Sequence, residues 1–162
     1  SEATMKKQSA CPLRPLVVLS LLLCGFSLAS AQGVELGVSA YPAQGVAAAH
    51  VGVALFEAEQ VEHQARAGVT YGFEGLPALS ATYLLRDTSR TFLATYLGAG
   101  VGLSFGEAPA PSTMFSAHAL AGVRAPIVGG LGAYSELVVA GNALGTSMSF
   151  GVGLTYTLGG MN

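Results

Sequence analysis

His118 and Glu136 lie on either side of "APIVG" (125–129), whose proline and glycine read as a turn. If that turn centres on Ile127, antiparallel pairing sets the imidazole directly opposite the carboxylate. An imidazole beside a carboxylate is the smallest unit of acid–base chemistry. It is equally the ordinary way to keep a buried ionisable group paired. His50, Arg66 and Arg124 fall on the same face of their own segments, so the group is His50, Arg66, His118, Arg124 and Glu136. No Ser-His-Asp arrangement, Walker-type loop or zinc spacing accompanies it. The five residues are therefore read as an interior polar network that reaches Arg66 or Arg124 where strand stagger brings them close. No catalytic residue, cofactor or metal is expected, and the chain is not expected to be an enzyme.

Two further groups could do chemistry. Arg66, Arg86 and Arg124 fall near one end of their segments with Glu35 close by, either as an anion-attracting mouth or, preferably, as a solvated rim. Glu57, Glu59 and Glu62 with His63 make an acidic stretch that lacks the ordered ligand spacing of a calcium loop, so it reads as a solvated turn. The glycines of "TYLGAGVGLSFG" (95–106) occupy alternate positions rather than a strand-to-helix turn, which argues against a nucleotide loop.

The elements that must position these residues are strands. Apolar and small or polar residues alternate in eight segments separated by turn signals, near Val34–Tyr41, Val46–Phe56, Gln64–Phe73, Ala78–Arg86, Thr91–Phe105, Phe115–Arg124, Gly130–Val139 and Met148–Leu158. In the fifth, Leu97, Ala99, Val101, Leu103 and Phe105 make one greasy face, while Gly98, Gly100, Gly102 and Ser104 leave the other nearly bare. A half-buried soluble strand would carry large polar groups there. The pattern instead suits a wall facing lipid outside and a narrow lumen inside, with the glycines leaving room for bulkier neighbours such as His50, His118 and Tyr134.

The start of the chain reads as a targeting segment. Residues 1–4 are excluded as an extension. Lys6, Lys7 and Arg14 precede the apolar "PLVVLSLLLCGF", and Ala29-Ser30-Ala31 forms a small-residue cleavage site, so 5–31 is expected to be a signal peptide and 32–162 the folded domain. Cys11 and Cys24 both fall in the expected leader, which leaves the folded part without a thiol. That part has four arginines, no lysine and eight acidic residues, a net charge of −4 that offers nucleic acid no footprint. It contains no apolar run long enough for a spanning helix. An exported, apolar, charge-poor chain of this kind points to a closed transmembrane barrel, and eight strands of nine or more residues meet the length that a tilted spanning strand needs.

With both ends in the periplasm, Phe73, Phe105, Phe115 and Phe150 form the outer aromatic girdle and Tyr156 falls at the inner one. "YLGAGVGLSF" (96–105), "SAHALAGVRAPI" (116–127), "GAYSEL" (132–137) and "SFGVGLTYTL" (149–158) together resemble the small eight-stranded outer-membrane barrels of the OmpA/OmpX-like type. The sequence departs from their usual aromatic ending by running on past Tyr156 as "TLGGMN". The resemblance implies an all-β, antiparallel up-and-down transmembrane barrel, exported by a Sec signal peptide and inserted by the outer-membrane assembly machinery. Its expected surroundings are outer-membrane lipid and a larger envelope complex. Its expected role is structural or that of a partner subunit in the cell envelope, with a side-chain-filled lumen. The alternatives are a narrow pore for small solutes, a soluble periplasmic lipocalin-like ligand-binding barrel, and an enzyme built into a barrel. Large apolar residues inside would favour the soluble barrel; a lumen or rim Ser beside a His would favour the enzyme.

Overall fold

The computed structural model describes residues 33–72, 77–106 and 112–159. Within them the alternating segments become eight strands: β1 (Gly33–Tyr41), β2 (Val46–Ala58), β3 (Val61–Gly72), β4 (Ala78–Asp87), β5 (Ala94–Gly106), β6 (Ser112–Val128), β7 (Leu131–Asn142) and β8 (Gly145–Leu158). Each pairs antiparallel with its sequence neighbour, and β8 closes on β1, giving an up-and-down barrel in the order β1-β2-β3-β4-β5-β6-β7-β8. Closure satisfies the backbone groups that an edge strand would leave open. The expected leader, with Cys11 and Cys24, lies outside the described residues, as do Phe73, Glu74 and Glu107.

Side-chain parity places polar groups inside. The buried residues include Glu35, Ser39, His50, Gln64, Arg66, Thr82, Arg86, Glu136 and Thr155, joined by a small apolar cluster of Leu84, Tyr96, Leu120 and Tyr134. The outer wall is the reverse: Leu36, Val38, Leu97, Val101, Leu103, Leu137, Val139, Val152 and Leu154 are all exposed. This is the opposite of a soluble barrel, whose apolar residues turn inward.

The hairpins are longer and tighter than the turn signals suggest. "EAEQVEHQ" is not a free connection. β2 and β3 zip to Ala58↔Val61, leaving Glu59 and Gln60 as a two-residue turn with φ of 51° and 65°. Both central residues with positive φ define the turn whose twist matches a hairpin, a place glycine or asparagine usually takes. Gly129 and Gly130 take it between β6 and β7, with φ of 55° and 86°. A bulge at Ala54/Phe56 in β2 turns Phe56 outward, where it stacks on His63 at 4.2 Å.

The β6–β7 register corrects the first expectation. The turn centres between Gly129 and Gly130 rather than on Ile127, and a bulge at Pro126/Val128 precedes it. Pro126 has no N–H to give to the ladder, so a bulge there costs no hydrogen bond. The turn lies about two and a half residues further along and the bulge takes up one position, so beyond the bulge every partner is displaced by four. Glu136 faces Gly122, and His118 faces Ala140. Because the shift is even, both still point inward.

Candidate functional site

Six charged side chains from five strands converge in the half of the lumen nearer Gly33 and Leu158. Glu35 of β1 receives Arg86 of β4 at 2.8 Å and Arg124 of β6 at 3.5 Å, with Arg66 of β3 at 4.0 Å. Glu136 of β7 receives Arg66 Nη1 at 3.1 Å and the Tyr96 hydroxyl at 3.1 Å, and the Tyr41 hydroxyl also donates to it. Arg86 reaches on to Glu62 at 3.1 Å and to the Gln64 side-chain oxygen at 3.3 Å. Arg124 is held by Thr155 at 2.9 Å and Thr157 at 2.8 Å. Three guanidinium groups thus meet three carboxylates, so the cluster carries no net charge. Removing these ions from water is costly, and the arrangement offsets that cost by giving each of them an opposite charge.

Aromatic rings pack between the charges. The Arg66 guanidinium lies 5.6 Å from the Tyr96 ring centre and 6.0 Å from that of Tyr134, within reach of the attraction between a cation and a ring face. Two glycines make this possible. A Cβ at Gly122 would collide with the Tyr96 ring, and one at Gly153 with the Tyr134 ring. Bare wall on one strand is the seat for a bulky side chain from the next.

Of the five residues grouped from sequence, Arg66, Glu136 and Arg124 belong to this cluster. His50 borders it, its Nε2 4.0 Å from Glu35 and its ring edge-on to Tyr134 at 5.7 Å. His118 stands apart: its Nε2 bonds the Thr82 hydroxyl at 2.8 Å, and it makes no hydrogen bond to Glu136. The expected proximity of His118 and Glu136 fails with the register. The solvated-rim reading of Arg66, Arg86 and Arg124 is also overturned, because Arg66 and Arg86 are 7% exposed and Glu35 only 2%. The acidic stretch divides likewise. Glu62 turns inward to Arg86, Glu57 accepts from Thr88 at 2.8 Å, and His63 faces outward and bonds Tyr83 at 2.7 Å.

Beyond the cluster, towards the end where Tyr41–Gly45 connects β1 to β2, the lumen opens into a cavity of about 290 Å³. Its floor includes Arg66 and Glu136, and His50 and His118 are both in its walls. Gly100 underlies His118, as the bare face suggested; Gly98 instead underlies Leu84 and Thr82, and Gly102 Ser116.

On the outer wall, Phe105, Phe115 and Phe150 are exposed on strands leading to that end, and Tyr156 is exposed towards the other. Because β8 begins at Gly145, Phe150 sits deeper in its strand than a start at Met148 would place it. Phe56, Tyr83 and Phe92, which the sequence reading leaves out, join Tyr156 towards the Gly33 end. Interior residues it leaves out include Tyr41, Gln64 and Tyr96, and it names Tyr134 inside without its partners. Parity points all four inward, but nothing in the local sequence says which charges they meet.

No protein-family model matches the chain, and neither does any curated protein. Among solved structures, the chain is similar to the N-terminal β-barrel domain of Pseudomonas aeruginosa OprF, at 16% identity and a TM-score of 0.57. That match covers 78% of this chain and 96% of the OprF domain. At this identity the likeness speaks for the fold, a small closed barrel.

Proposed function

We propose that the chain is an integral outer-membrane β-barrel with a sealed lumen, acting as a structural protein or partner subunit of the bacterial cell envelope. The observation that carries this reading is the inverted distribution of polarity. Ion pairs are buried inside a closed barrel, and the outer wall bears leucine, valine and phenylalanine. A hydrocarbon surrounding suits such a wall, and closure answers the backbone's hydrogen-bonding needs there. The likeness to the OprF barrel fits this reading at the level of fold. Export through a Sec signal peptide and insertion by the outer-membrane assembly machinery belong to the same proposal.

The charge cluster supports a structural role over transport. Eight strands leave an interior that side chains fill, whereas open aqueous channels use about sixteen. Here Arg66 and Glu136 close the lumen across its width. The polar lumen also opposes a lipocalin-like carrier. Expression in a Gram-negative host followed by fractionation tests the proposal. The protein should stay with outer membranes through carbonate washing and leave only with detergent; release in buffer alone would overturn it.

A further inference from the structure

The cavity above the charge cluster has features that sealing alone does not require. We propose that it is a binding site for a small, uncharged, hydroxyl-rich molecule about the size of a monosaccharide.

Size comes first. About 290 Å³ holds on the order of ten water molecules at their liquid volume, and so a ligand of about that many non-hydrogen atoms. Mouths of β-barrels are a recurrent place for ligand pockets, and this one is near the small end of their range.

Chemistry comes second. Thr70, Ser80, Thr82, Ser116 and Ser149 line the walls, so hydroxyl groups approach from several sides. A hydroxyl both donates and accepts, which matches a ligand whose own groups do the same. The charged pair at the floor, Arg66 and Glu136, is internally compensated at 3.1 Å. An anion entering would meet the carboxylate and a cation the guanidinium, so neither sign is favoured.

Unmet demand comes third. Ser39 Oγ and His50 Nε2 both belong to residues lining the cavity, and each residue is only 8% exposed. Neither atom has a hydrogen-bond partner among the described residues. Buried polar atoms are costly to leave unpaired, and a hydroxylated guest could satisfy the Ser39 hydroxyl, whereas His50 Nε2 faces the Glu35 carboxylate at 4.0 Å and brings only its ring to the wall. The walls stay open because small residues stand where larger ones would fit, among them Ala48 and Ala140.

The three histidines make the test self-controlled. His50 and His118 line the cavity, whereas His63 stacks on Phe56 on the outer wall. The full folded chain in detergent micelles, with ¹³C-labelled histidine, would be titrated with D-glucose while the imidazole resonances are followed. The expected result is a saturable shift at His50 and His118 with His63 unmoved. That shift should be lost in Ala48→Leu, and in Ala140→Leu as a second filling variant should the first not fold. Equal shifts at all three histidines, shifts that grow linearly without saturation, or a full response in the filled variants would overturn the proposal. So would a saturable response to acetate or tetramethylammonium with none to glucose. Because micelles read the lumen directly, this result is independent of where the barrel resides in a cell.

Discussion

Arg66 and Glu136 stand on strands four apart in a ring of eight, on opposite sides of the barrel, and their side chains meet at 3.1 Å. Their bond therefore crosses the whole width of the lumen. Tyr96 and Tyr41 add two hydroxyl donors to the same carboxylate, and the rings of Tyr96 and Tyr134 flank the guanidinium. Among the described residues, it is this pair and its attendants that span the lumen.

Breaking that pair from one side leaves a buried charge without its partner. Glu136→Ala should therefore lose about 3–5 kcal/mol of stability, read by urea unfolding of the folded barrel in lipid vesicles. The double variant Arg66→Met with Glu136→Leu should recover much of that loss. Its departure from additivity should be roughly 1–3 kcal/mol, as for residues in one network.

A second expectation concerns solute passage. The wild-type barrel in planar bilayers should show little conductance, whereas Arg66→Ala with Glu136→Ala should raise it several-fold by removing the crossing pair. Conductance of porin size in the wild type would contradict a sealed lumen.

The glycine seats give a matched pair of variants. Gly122→Ala puts a methyl group into the Tyr96 ring and should cost about 1–3 kcal/mol, as overpacking does. Gly141→Ala meets nothing closer than the Thr146 hydroxyl at 3.9 Å and should stay within about 0.5 kcal/mol of wild type. Equal effects in the same unfolding assay would mean that the rings do not rest on the glycines.

The β2–β3 turn holds Gln60 at φ 65°. Left-handed backbone costs an ordinary residue roughly 1–2 kcal/mol, and glycine adopts it freely. Gln60→Gly should therefore raise the thermal midpoint of the folded barrel, whereas the same change at Glu62, inside β3, should lower it by removing an Arg86 partner.

Much of the fold was legible because parity is a local property. Leu97 to Phe105 declared one outward and one inward face without reference to any other strand, and every strand with that signature lies in the ring. The contents of the lumen were less legible because they depend on how far each strand slides past the next. His118 and Glu136 were both placed inside, yet a turn further along, with its bulge, moved them four pairs apart. Arg86 shared the inward parity of Ser80 and Thr82, but its place near a strand end suggested solvent; only the convergence of Glu35, Glu62 and Gln64 shows why it is buried. The seats of Tyr96 and Tyr134 were hidden for a related reason. The glycines that receive them lie on neighbouring strands, at Gly122 and Gly153.

The central claim, a barrel with its polar side inward and its apolar side in lipid, is tested most directly along β6. Nitroxide labels at Ala117, Ala119, Ala121 and Val123, all outward positions, would be compared with labels at the inward Ser116 and Leu120 in reconstituted bilayers. The four outward labels should be relaxed strongly by dissolved oxygen and weakly by a water-soluble nickel chelate, with the pattern interrupted at each inward site. Preferential access of the nickel chelate to Ala119 and its outward neighbours would contradict the account.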